Sequence, residues 1–127
     1  MITEIISGLW IGSLNDSYDK ELYTKYNISV LLNCSTTKPF PDIPTVKKVR
    51  LPIQTPMDIK RHRDKILDHL QQLYLKESML LVCEEDFALV IASLFLVYVG
   101  RVSMVDIKHI LHQKNPKLVL DRKLDEF

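Results

Sequence analysis

A cysteine, three carboxylates and a long apolar run stand together in Met79-Leu80-Leu81-Val82-Cys83-Glu84-Glu85-Asp86-Phe87-Ala88-Leu89-Val90-Ile91-Ala92. A cysteine thiolate is a strong nucleophile once an electropositive surround lowers its pKa. The stretch reads as a buried strand, a tight loop and the start of a very apolar helix. A helix start leaves free N–H groups pointing at the preceding loop, so this layout is that of an anion-binding cradle. Yet the loop after Cys83 holds Glu84, Glu85 and Asp86, with no Arg, Lys or Gly up to Val90. The layout favours an anion and the loop's own charge opposes one.

The elements that must position Cys83 follow from pattern. Residues 5–12 read as two short strands with a turn at Ser7-Gly8. Asn15 or Asp16 caps a helix running to about Tyr26. Residues 28–34 are almost continuously apolar, as in a strand covered on both faces of a parallel sheet. A proline-punctuated loop over 38–44 leads to a strand over 46–53. Ile59, Ile66, Leu67, Leu70 and Leu73 mark one face of a helix that ends near Leu75. Lys60, Arg61, Arg63 and Lys65 lie mostly off that face and read as solvated. The helix over 87–99 is apolar nearly all round, with Gly100 as its stop. Ser103 caps a further helix to about Gln113, Asn115-Pro116 breaks it, and 119–127 forms a last short helix. Alternating strands and helices give an α/β class, with a central, mostly parallel sheet of about five strands flanked by helices.

Composition bounds the function. The 127 residues fit one domain, 1–127, and 46% apolar content is enough for a proper core. A net charge of +1 supports neither bulk nucleic-acid binding nor membrane-surface binding. The longest apolar run, 88–99, is too short to span a membrane. Met1-Ile2-Thr3-Glu4 shows no signal peptide. With Cys34 and Cys83 the only cysteines, two buried free thiols are the favoured reading, and a redox pair is the alternative if their strands are neighbours. A reducing compartment follows, the cytoplasm with the nucleus as an extension. His62 and His69 lack a second pair of ligands, so no metal and no cofactor is expected.

Segments in order carry a family resemblance. Ile5-Ile6-Ser7-Gly8-Leu9-Trp10-Ile11-Gly12-Ser13 is similar to an opening I-x-x-x-L-[YW]-[IL]-G-S. Ile28 to Asn33 is similar to I-[ST]-x-[VI]-[LI]-N, Arg50-Leu51-Pro52-Ile53 to x-[IL]-P-[IVL], and Met79 to Cys83 to x-[VL]-L-V-H-C. Tyr98 to Ile107, His112-Gln113-Lys114-Asn115-Pro116 and Leu124 to Phe127 continue the match. Together they resemble the Cys-dependent dual-specificity protein phosphatases over almost the whole chain.

The resemblance implies a reaction loop H-C-x-x-G-x-x-R-[ST] at 82–90. In it a thiolate attacks phosphorus, backbone N–H groups and an Arg hold the phosphate oxygens, a Gly allows the bend, and a separate Asp protonates the leaving oxygen. With Cys83 as the nucleophile, the His falls on Val82, the Gly on Asp86, the Arg on Leu89, the hydroxyl on Val90 and the general acid on Thr55. Asp58 is the nearest carboxylate to the acid position and reads better as a helix N-terminal residue. A phosphate dianion about 5 Å from a carboxylate meets roughly 3 kcal/mol of repulsion at an effective dielectric of 20. Up to three such carboxylates act here, and they push the Cys83 pKa up. The expectation is a degenerate site over 83–90 in a catalytically inactive member, a pseudophosphatase. Asp86 or Glu85 folding inward to cap loop N–H groups is a further expectation, against carboxylates that face water.

The function class implied is protein binding, as scaffold, decoy or competitor in phosphorylation signalling. Lys47, Lys48 and Arg50 are the candidate binding surface, with Lys108, His109, His112, Lys114 and Lys117 as a second. One alternative is an enzyme using Cys83, as a residual phosphatase or in sulfur transfer. Another is self-association, including a homodimer, through Trp10, Phe40 or Tyr18.

Overall fold

The computed structural model describes residues 2–127. Its first strands, β1 (Thr3–Ile6) and β2 (Leu9–Gly12), pair antiparallel across the Ser7-Gly8 turn, where Gly8 takes a φ of 86°. Helix α1 (Lys20–Lys25) follows, then β3 (Val30–Asn33), β4 (Lys47–Arg50), α2 (Pro56–Tyr74), β5 (Met79–Val82), α3 (Phe87–Tyr98) and α4 (Ile107–Lys114). The five strands form one sheet in the order β1-β2-β5-β3-β4. Every pairing except β1 with β2 is parallel, giving the mostly parallel α/β sheet that the apolar strands imply.

β3 and β5 are central and buried at every position, which explains their unbroken apolar character. Alternation sends their side chains to two cores. Leu32 and Leu81 meet α2, α3 and α4 on one face, while Leu31, Leu80 and Val82 meet Tyr23, Ile28 and Val46 on the other. Helix α3 is buried from Phe87 through Leu96, as its all-round apolarity requires. Its neighbour α2 buries Ile59, Ile66, Leu67 and Leu70 in the core, with Leu73 and Tyr74 packed at its edge.

Several boundaries differ from the sequence reading. Asn15–Tyr18 is a 3₁₀ turn, and α1 starts later, capped by Asp19, whose carboxylate accepts the Glu21 N–H at 3.2 Å. Ser103 holds a turn, its Oγ accepting from the Val105 N–H, and α4 begins only at Ile107. The segment over 119–127 contains just a 3₁₀ turn at Leu124–Glu126. Gly100 does end α3, through close approach: a Cβ there would lie 2.8 Å from the Leu96 carbonyl oxygen. The left-handed residue that turns the chain is Arg101, at φ 57°.

Candidate functional site

Parallel pairing of β3 with β5 sets Asn33 opposite Val82, so the residues that follow each strand emerge side by side. Those residues are Cys34 and Cys83. They are joined as a disulfide, with Cα atoms 4.7 Å apart, and the chain has no free cysteine. The favoured reading of two free thiols is therefore corrected. The physical reason is strand order: adjacency of β3 and β5 cannot be read from either strand alone. Cys34 is fully buried and Cys83 nearly so.

The loop from Cys83 to α3 bends at Glu85, which holds a left-handed φ of 51°. This is the conformation a Gly takes without steric cost, and here a Glu takes it. The chain turns back through a Phe87 N–H to Glu84 carbonyl bond of 3.3 Å, and α3 then starts with the Val90 N–H bonded to the Asp86 carbonyl at 3.1 Å. The inward-anion expectation is not met. Asp86 is the N-cap residue of α3, yet its side chain makes no cap bond. Instead the Arg122 guanidinium, from the tail after α4, donates its Nε–H to both Asp86 carboxylate oxygens at 2.9 Å. The same guanidinium reaches Glu85 at 3.2 Å and lies 5.3 Å from the Phe87 ring centre. The water-facing alternative holds in part: Glu84 and Glu85 are exposed, while Asp86 is half-buried against Arg122.

A guanidinium is the better partner for these carboxylates than the loop N–H groups for a simple reason. It brings a full charge, and its planar fork matches carboxylate geometry. Arg122 was missed from sequence because it sits in irregular chain, where no periodicity assigns a partner.

The other sequence-singled residues fall into place around this loop. Val82 is fully buried against Leu31 and Leu80. Val90 is fully buried within α3, and Leu89 lines a cavity of about 460 Å³ that Glu85, Asp86, Thr3 and Asn115 also line. Thr55 is the N-cap of α2 and forms a capping box with Asp58. The Asp58 carboxylate accepts the backbone N–H groups of Gln54 at 2.9 Å and Thr55 at 3.1 Å.

Those two N–H groups hold the Asp58 carboxyl below its ordinary 3.8. A group whose folded pKa is depressed lends stability above its unfolded pKa, and that stability is lost as pH falls through the folded value. Urea unfolding of the wild type is therefore expected to weaken with a component between roughly pH 5 and pH 3, which Asp58→Asn should remove. An unchanged pH profile in Asp58→Asn would refute this.

Two of the three cations of the β4 surface have internal work. Lys48 donates to the Ile43 carbonyl at 2.7 Å and the Val46 carbonyl at 3.2 Å. Arg50 bonds the Ser35 carbonyl and the Lys38 carbonyl and covers the Phe40 ring at 4.5 Å. Lys47 is exposed. The proposed contact residues Trp10 and Tyr18 also have partners within the chain: Trp10 packs on Tyr26 at 4.5 Å, and the Tyr18 hydroxyl donates to the Pro39 carbonyl. Among the described residues, no three His, Cys, Asp or Glu side chains are grouped to hold a metal ion, and no helix is long and apolar enough to cross a membrane.

No family model and no curated protein matches this sequence. Solved structures do match. Human DUSP28 superposes with a TM-score of 0.80 at 14% identity, over 98% of this chain and 88% of its own. DUSP15 gives 0.82 at 17% identity, over 98% of this chain and 83% of its own. The human tyrosine phosphatase-like serine/threonine/tyrosine-interacting protein gives 0.72 at 9% identity, over 98% of this chain and 91% of its own. At such identities the likeness speaks for architecture, and it agrees with the sheet order and helix placement above. The chain has the α/β fold of the dual-specificity phosphatases, in a single domain.

Proposed function

We propose that this chain is a catalytically inactive relative of the dual-specificity phosphatases that works by binding another protein, as scaffold, decoy or competitor in phosphorylation signalling within the cytoplasm or nucleus. One observation carries this reading. At the mouth of the loop that would receive a phosphate, Asp86 and Glu85 stand with the guanidinium of Arg122 already on them. An incoming phosphate finds two carboxylates and no unspent cation on the loop. The position that would hold a transition-state guanidinium is Leu89, and the nearby guanidinium of Arg122 is spent on the loop's own carboxylates.

Sulfur transfer through Cys83 would also need a cradle for an anion, and the same carboxylates oppose it. The test is hydrolysis of an aryl phosphate by fully reduced protein, beside Cys83→Ser, with thiosulfate and cyanide as a parallel arm. The expected result is no turnover above buffer in any arm. Turnover that needs reduction and vanishes in Cys83→Ser would sink the inactive reading.

A further inference from the structure

Several cations without an internal partner line the exposed side of α2, beside the tail. We propose that this trough docks an acidic segment of a partner protein carrying one apolar anchor residue. The inference builds on the protein-binding reading and names the partner's chemistry.

Two grooves of about 590 Å³ and about 650 Å³ adjoin here and share Lys60 and Phe127 as walls. Lys123 lines the first, and Arg61 and Lys65 line the second. Among the described residues, Lys60, Lys65 and Lys123 make no hydrogen bond or ion pair, in contrast to Lys48, Arg50, Arg63 and Arg122, which are all engaged. Arg61 lies near Asp58, and that carboxylate is bound into the capping box. Asp121 and Glu126 stand on the tail wall of the first groove, and Asp64, paired with Arg63, lines the second, so the positive excess comes from Lys60, Arg61 and Lys65 on α2.

A third pocket, about 260 Å³, adjoins through His62 and Lys65. Its remaining walls are mainly apolar, from Leu51, Pro52, Ile53 and Ile66. It borders the point where α2 is interrupted at His62, whose φ/ψ of −112°/15° leave the helical region. A short basic track that runs into a small apolar pocket selects carboxylates with a single apolar side chain beside them. The same shortness, with a net charge of +1 for the chain, disfavours a long polyanion such as a nucleic acid.

The test is fluorescence anisotropy on the whole chain with a fluorescein-labelled Asp/Glu-rich peptide bearing one central leucine. Saturable binding is expected that weakens with added salt. The exposed triple reversal Lys60→Glu/Arg61→Glu/Lys65→Glu should weaken binding by about tenfold or more, and so should replacing the peptide's leucine by serine. Lys123→Glu should weaken it less, and the control Lys20→Glu/Lys76→Glu, at two exposed lysines outside the grooves, should leave it unchanged. Absence of wild-type binding, an equal loss in the control, or tighter binding of a single-stranded oligonucleotide at the same salt would overturn the proposal. Anisotropy failing this way leaves the inactive reading intact, whereas aryl phosphate turnover would sink that reading and leave the docking result standing.

Discussion

Breaking the Cys34–Cys83 bond is expected to lower the unfolding free energy by about 4 kcal/mol. The bridge spans a sequence separation of 49 residues and ties the exit of β3 to the exit of β5. Its chief effect is on the unfolded chain, where it forbids the many arrangements in which those exits are far apart. The native state gains little beyond this, because Cys34 already donates its backbone N–H to the Val82 carbonyl at 2.9 Å and accepts from the Ile53 N–H at 3.0 Å. Two buried thiols or two alanines in the same places keep much of the apolar packing. Urea denaturation of wild type with and without a reductant, beside Cys34→Ala/Cys83→Ala, checks this. Reduced wild type and the double variant should fall together below the oxidised protein. A loss smaller than about 1 kcal/mol would show that the bridge does not constrain the unfolded chain as argued.

Phe87→Ala is expected to cost about 4 kcal/mol, within the range for deleting a fully buried aromatic. Phe87 is 1% exposed and is the first residue of α3, so it joins the acidic loop to the main core. Its ring lies beneath the Arg122 guanidinium, and removing it takes away the surface against which that guanidinium rests. The variant should thus lose more than stability. Amide exchange of residues 84–86 and of the tail around Arg122 should rise well above the increase expected from global destabilisation alone. Phe87→Leu keeps most of the volume and should cost less than about 1.5 kcal/mol, with loop protection largely retained. Equal effects of Ala and Leu on the loop would mean that Arg122 is held by its carboxylates without the ring.

What the sequence disclosed about this fold is what periodicity and burial write into it. The strands at β3 and β5 were legible because both faces are covered, leaving no polar alternation. Helix α3 was legible because it is buried along most of its length, and α2 because one stripe of it is. The role of Thr55 and Asp58 as a helix start was half visible, since Asp58 reads as an N-terminal helix residue and Pro56 sits at a permitted position.

The site was less legible, because its contacts join segments far apart in the chain. Arg122 meets Asp86 across 36 residues, from a stretch with no regular structure. Cys34 meets Cys83 only because β3 lies beside β5. Lys48 and Arg50 read as free surface charge, yet their side chains fasten the proline-rich loop, a fact fixed by where that loop folds back. A left-handed Glu85 in place of a Gly is likewise invisible to pattern, since tertiary contacts hold it there.

The edge position of β4 gives its cations a further meaning. A terminal strand exposes one row of N–H and C=O groups, a ready template for a neighbouring chain to extend the sheet. Here that strand is short, four residues, and carries Lys47, Lys48 and Arg50. Two copies approaching edge to edge would set this cluster against its own like. At this end of the sheet, β4 therefore also guards against cross-chain sheet growth.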